Sequence, residues 1–247
     1  MNGYAEKTVW IIGASSGIGH ALARELHGRG ARLILSARNQ EALNLLNILL
    51  GDKHRVLPFD VTDSAAFAAA FEQLQKIDSV IYLAAAYTPG NIQDIAADNA
   101  AKTVSINIET TFTLLRHLIP FYKKQGHGQV ALCGSVAGYK GLPGGQPYSA
   151  TKAAIINLAE SLRAEMAESN IDVRLINPGF VKTPLTDKND FIMPMMIEAE
   201  EAAKEIADGL AGKSFEIHFP KKFTLPMKIL SLLPYSLYFP LARLIRR

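Results

Sequence analysis

Seven short apolar runs, separated by stretches of helical periodicity, predict a single doubly wound α/β domain with a seven-stranded parallel sheet and helices on both faces. Three observations carry this. The runs are continuous rather than alternating, the pattern of strands covered on both sides. A glycine-rich turn follows the first run and opens the first helical segment. The 247 residues, 49% hydrophobic, suffice for one large core. Together these describe the Rossmann arrangement.

The runs in order are "TVWII" (8–12), "ARLILSA" (31–37), "HRVLPF" (54–59), "SVIYLA" (79–84), "GQVALC" (128–133), "IDVRLI" (171–176) and "FEIHF" (215–219). Between them lie helical segments such as "ALARELHGRG" and "EALNLLNILL". No repeat or low-complexity linker interrupts the pattern before about residue 220. The expected organisation is a nucleotide-binding catalytic domain over 1–220 and an apolar, basic helical extension over 221–247.

Composition excludes several classes. Lys+Arg 26 against Asp+Glu 23 gives a net charge of +3, too balanced for a nucleic-acid binder. The single Cys133 excludes an intrachain disulfide and suits a reducing cytoplasm, where it reads as a small buried strand residue. The six scattered histidines show no metal-ligand spacing, and "MNGYAEKTVWII" lacks the features of a secretory signal.

The first turn reads "GASSGIG", Gly13 to Gly19. Its glycines permit a tight turn and a close approach of backbone to pyrophosphate, whose charge a helix N-terminus favours. At the end of the second run, "LSARN" has Ala37 where an NAD-binding acid is expected, followed by Arg38. A guanidinium there suits the 2′-phosphate of NADP(H); the alternative is a solvated residue starting a helix.

"YSATK" puts Tyr148 and Lys152 one helical turn apart on a common face, so that the ammonium can sit beside the phenol oxygen. A phenol of pKa about 10 needs roughly 4 kcal/mol of differential stabilisation to lose three units, more than an exposed contact supplies. The low charge of "YSATKAAIINLAESL" suits a desolvated pair.

With "DVT" (60–62), "SIN" (105–107), "GSVAG" (134–138) and "NPGFVKT" (177–183), these motifs resemble the classical short-chain dehydrogenases/reductases in order and spacing, over about residues 7 to 220. The resemblance implies an NADP(H)-dependent oxidoreductase that interconverts a carbonyl and a secondary alcohol. Tyr148 would be the acid and base, Lys152 the residue that lowers its pKa and binds the nicotinamide ribose, Ser135 the hydroxyl that orients the carbonyl, and Asn107 a link in a water-mediated proton relay. Gly13, Ser15, Ser16, Gly17, Ile18 and Gly19 would line the pyrophosphate loop, Asp60 and Val61 the adenine pocket, Ala84 and Ala85 the space beside the adenosine. Pro178, Gly179, Val181 and Thr183 would flank the nicotinamide. Homodimers or homotetramers are implied as well. Bland readings compete at three positions: Ser135 as a turn residue, Asn107 as a purely structural polar residue, Asp60 as a helix cap.

One departure stands out: "LAAAY" (83–87) replaces the family's "NNAG" run, removing polar structural bonds and suggesting altered local packing. It is the one feature that favours a second reading, a nucleotide-binding regulatory or scaffold protein with little turnover.

In the segment after "NPGFVKT", Phe191, Ile192, Met193, Met195 and Met196 suit a flexible hydrophobic substrate pocket, or else pack on the fold. The tail "KKFTLPMKILSLLPYSLYFPLARLIRR" has no acid, and none follows Glu216. Taking its six basic residues from the 26 leaves 20 against 23 acids in the body. Thr224 with Pro226 suggests the start of one short helix and Pro234 that of a second. Three roles are open to this tail: contact with an anionic membrane surface, a lid or subunit contact, and a spanning hairpin.

Overall fold

A computed structural model describes residues 3–88, 90–189 and 191–244. Seven parallel strands form one sheet: β1 (Thr8–Ile12), β2 (Arg32–Ser36), β3 (Arg55–Val56), β4 (Ser79–Tyr82), β5 (Gly128–Cys133), β6 (Ile171–Pro178) and β7 (Glu216–Phe219). Their order is β3-β2-β1-β4-β5-β6-β7. Successive crossovers carry α1 (Gly17–Gly28), α2 (Gln40–Leu49), α3 (Ser64–Glu72), α4 (Ala97–Val104), α5 (Thr110–Gln125), α6 (Tyr148–Glu165) and α7 (Ala199–Ala211); α8 (Lys221–Leu232) and α9 (Tyr235–Leu244) follow β7.

The sheet is buried on both faces. One core joins Val9, Ile11 and Leu35 to α1, α2 and α7; the other joins Trp10, Ile12 and Val130 to α3, α5 and α6. Burying each such side chain stabilises by about 1.5–3 kcal/mol. Trp10, fully buried, donates its indole N–H to Ser36 Oγ at 2.8 Å, so the largest core residue leaves no polar atom unpaired. The third strand lies at the sheet edge, where Pro58 is tolerated: the Leu57 N–H donates to the Leu35 carbonyl at 2.9 Å and the Phe59 N–H to the Ala37 carbonyl at 3.2 Å on either side of it.

Local chemistry sets the helix ends. Asn39 Oδ1 accepts from the Ala42 N–H at 3.0 Å to cap α2. Asp63 caps α3 by accepting from Ala65 and Ala66, so the cap in "DVTDS" is Asp63 and not Asp60. Gly126, at φ 86, closes α5 in the left-handed conformation. Between α4 and α5 the chain widens into one π turn, Ser105–Glu109, with Asn107 inside it.

The tail helix starts earlier than its prolines suggest. Pro220 precedes α8, and Pro226 lies within it on the exposed side, where the carbonyl it cannot serve can meet water. Thr224 is not a start signal; its hydroxyl packs inward on His218 Nδ1 at 2.6 Å. Pro234 does open α9, its carbonyl accepting from Leu237 and Tyr238. Among the described residues no helix is long and apolar enough to cross a membrane.

Candidate active site

A cleft of about 1040 Å³ runs along the C-terminal ends of the strands. That is where a doubly wound sheet offers loops and helix N-termini to a ligand. A smaller hollow of about 210 Å³, bordered by Lys7, Asp78, Gly128 and Asn170, lies at the opposite strand ends.

Each glycine of the first turn has its own reason. Gly13 has φ +102, and a Cβ there would stand 2.8 Å from the Ala84 amide nitrogen. Gly17 has φ +53 and faces Thr183; a Cβ on Gly19 would stand 2.0 Å from the Gly13 carbonyl oxygen. Ser16, at the N-cap of α1, makes no side-chain cap, so the first-turn amides face the cleft without a side-chain acceptor. A dinucleotide's pyrophosphate is the kind of group that such a terminus favours.

At one end of the cleft Arg38 Nη1 lies 4.0 Å from Asp60 Oδ2, with 65% of the Arg38 side chain exposed. Partial burial works against the charge of Asp60. The Thr62 N–H at 2.9 Å and hydroxyl at 2.8 Å, with Arg38 and Lys102 beside them, nonetheless hold its carboxyl below the usual range. Val61, Ala84 and Ala85 line the adjoining wall. The Ala84 backbone approaches Gly13 so closely that no Cβ fits on Gly13.

At the other end β5 delivers Ser135 and α6 begins at Tyr148. Ser135 Oγ accepts from the Ala137 N–H at 3.1 Å, and its hydroxyl stands near enough to Tyr148 to act on the phenol. Lys152, only 3% exposed, donates to the Cys133 carbonyl at 2.7 Å, and its Nζ lies 5.4 Å from the Tyr148 ring centroid. The one-turn spacing therefore sets the ammonium over the ring rather than against the phenol oxygen. In the protein alone burial pushes the Tyr148 phenol well above its usual value, with the neighbouring Ser135 hydroxyl working the other way. Burial likewise lowers Lys152.

Asn107 is 2% exposed and does not line the cleft. Its amide bonds both backbone groups of Ala86, accepting at 2.7 Å and donating at 3.0 Å, and donates to Thr151 Oγ1 at 2.9 Å. The "LAAAY" segment is thus clamped through its backbone, which offsets the polar side chains it lacks.

Ser135, Tyr148, Lys152 and all the residues assigned to the glycine loop, Arg38, Asp60, Val61, Ala84, Ala85, Pro178, Gly179, Val181 and Thr183 border this one cleft. Two participants were not anticipated. Tyr87 sets its ring edge-on to Tyr148 at 4.7 Å and donates to Asn189 Oδ1 at 2.5 Å, bridging the cleft mouth. Cys133, expected as a filler, contributes its carbonyl to Lys152. Among the described residues, the segment with Phe191, Ile192, Met193, Met195 and Met196 does not border this cleft. The described lining ends at Thr186, Ile192, Met195 and Met196 are exposed, and Phe191 packs on Phe180 at 5.7 Å.

Comparison with known proteins follows the same outline. A family model described as short chain dehydrogenase matches residues 7–191. An uncharacterized oxidoreductase of Staphylococcus epidermidis is 32% identical over 213 residues, covering 85% of this chain and 93% of that protein. A short chain dehydrogenase from Burkholderia cenocepacia in complex with NADP superposes with a TM-score of 0.85 at 23% identity, over 96% of this chain and 98% of that one. One from Sphingobium yanoikuyae in complex with NADPH gives 0.81 at 25% identity, over 93% and 97%.

Proposed function

We propose, from the premise that this chain belongs to the short chain dehydrogenase family and is an oxidoreductase, that it interconverts a carbonyl and a secondary alcohol on a hydrophobic small molecule with NADP(H). The observation that carries the reading is the constellation of the Tyr148 phenol, Ser135 and the buried Lys152, facing the same cleft as an uncapped helix N-terminus and Arg38.

When bound, NADP(H) supplies the hydride and, when oxidised, a positive charge. The chain's residues do the rest. The first-turn amides of α1 would hold the pyrophosphate, and Arg38 the 2′-phosphate. Lys152, already desolvated and anchored by Cys133, would hold the nicotinamide ribose. Ser135 donates to the substrate oxygen as charge develops there. In reduction the Tyr148 hydroxyl gives that oxygen a proton and is left as phenolate; in oxidation the phenolate takes the proton of the alcohol. Asn107 positions the wall behind them; its three bonds use both amide hydrogens and leave one Oδ1 lone pair as the place a relay water would have to bond. A hydrophobic substrate suits the apolar side chains at the mouth, Tyr87, Ile106, Val181 and Leu185. Assembly as a homodimer or homotetramer belongs to this proposal through family membership.

The binding-protein alternative leaned on "LAAAY", whose backbone Asn107 holds in place. Hydride-transfer assays of wild type and Tyr148→Phe over a panel of hydrophobic ketones and alcohols decide between the two. The expected result is turnover by wild type and a loss of about 10²–10⁴-fold in Tyr148→Phe with NADPH affinity kept. A wild type that binds NADPH yet turns over nothing in the panel sinks the enzyme reading.

A further inference from the structure

The inner side of the tail is fully employed. Thr224 bonds His218, Phe223 packs on Phe180 at 5.3 Å, and Lys228 pairs with Glu216. Lys140 donates to the Ser231 carbonyl at 3.1 Å and stands over the Tyr235 and Tyr238 rings, while the buried Tyr238 bonds the Gly141 carbonyl. The tail is therefore docked on the loop that follows Ser135, with a fixed outer side.

That outer side is apolar. In α8, Leu225, Ile229 and Leu232 are 49%, 65% and 83% exposed, and their spacing puts them on one stripe. In α9, Leu237, Leu241 and Leu244 repeat the same spacing and are exposed too. Soluble surfaces rarely leave two such apolar stripes uncovered. Lys221 and Lys222 stand four and three residues before Leu225, on the edges of its stripe, and with Arg243 they are exposed and form no ion pair among the described residues. No acid follows Glu216, itself paired with Lys228, so nothing in this segment repels an anionic surface.

We propose that the outer face of α8 and α9 docks on an anionic lipid bilayer, with the two stripes entering the interface and Lys221, Lys222 and Arg243 meeting lipid phosphates. Short amphipathic helices with flanking cations and interfacial aromatics such as Tyr235 and Phe239 bind membranes in this manner, without spanning them. The face is uniformly basic at its edges. A second copy would bring the same positive charges together, whereas a lipid surface neutralises them. The inference stands independently of the catalytic reading.

The test is co-sedimentation of the full chain with vesicles of equimolar phosphatidylglycerol and phosphatidylcholine, beside pure phosphatidylcholine, with light scattering to read the oligomeric state. We expect selective binding to the anionic vesicles, weakened about tenfold or more in Lys221→Glu/Lys222→Glu and also in Leu225→Gln/Ile229→Gln/Leu232→Gln. The charge variant alters only exposed residues, so it decides the matter even if the apolar variant misfolds by circular dichroism. No vesicle binding by wild type, equal binding to both lipid types, or an unchanged affinity in the charge variant overturns the proposal. So does a wild-type dimer that the apolar variant dissociates while vesicle binding stays unchanged, which would assign the face to a second copy.

Discussion

Replacing Arg38 by alanine separates cofactor choice from folding, because the structure gives different sizes for the two effects. The guanidinium lies 4.0 Å from Asp60, a separation worth about 4 kcal/mol at an effective dielectric of 20. Both partners are exposed, however, at 65% and 42%, which screens such a pair to about 0–1 kcal/mol. Arg38→Ala should therefore barely move the melting temperature. A charge-assisted bond to a 2′-phosphate contributes about 1.5–3 kcal/mol, and each 1.4 kcal/mol is tenfold. The dissociation constant for NADPH should rise roughly 10- to 150-fold, and that for NADH should change little. Asp60, left without its cation, would repel the phosphate, so the loss should be larger at low ionic strength. Lys102 borders the same cleft and also acts on Asp60, so any residual preference should vanish in Arg38→Ala/Lys102→Ala. Fluorescence titration with both nucleotides at two salt concentrations, with thermal melts of each variant, is the assay. Equal weakening of NADPH and NADH, or unaltered NADPH affinity, would refute the assignment of Arg38.

Three further outcomes follow from particular contacts. Gly19→Ala drives a Cβ into the Gly13 carbonyl and should cost about 1–3 kcal/mol together with nucleotide binding, whereas Gly28→Ala meets nothing within 4 Å and should stabilise by about 0.5–1 kcal/mol; chemical denaturation of the pair checks both signs. His54 accepts the Leu33 N–H on Nδ1 at 3.2 Å and shares a 2.8 Å bond with His27, so it folds as the neutral ring, and burial lowers its pKa below the ordinary 6.5. The unfolded chain then binds the extra proton first, so stability from this site is intact above about 6.5 and is lost as pH falls towards the folded value; melts at pH 8, 7, 6 and 5 should show that decline, and His54→Gln should flatten it. Lys228→Ala leaves the half-buried Glu216 carboxylate with only Tyr139 and Asn177, an expected loss of about 1–3 kcal/mol, while Lys221→Ala on the exposed side should change stability by less than about 0.5 kcal/mol.

What was legible in the sequence was what neighbouring residues decide among themselves. Continuous apolar runs marked all seven strands, since burial on both faces leaves no polar position to hide them. The glycine turn and the one-turn spacing of Tyr148 and Lys152 are likewise local, and both lie where their spacing put them, along one cleft. The misses are contacts between distant segments. The amide of Asn107 completes a ring of bonds with Ala86, 21 residues away, and Thr151, 44 away, and no periodicity within "SIN" announces the π turn that goes with it. Cys133 acts through a carbonyl, a group every residue possesses, so its side chain gave no hint. The methionines after Asn189 looked like a pocket because their type suits one, but residue type does not determine which way a loop turns. The same limit applies to the chemistry: spacing brought an ammonium to the phenol's ring, while burial raised that phenol and lowered that amine. For Tyr148 to serve as the acid and base proposed above, a cation bound beside it would have to offset the burial that raises the phenol in the protein alone.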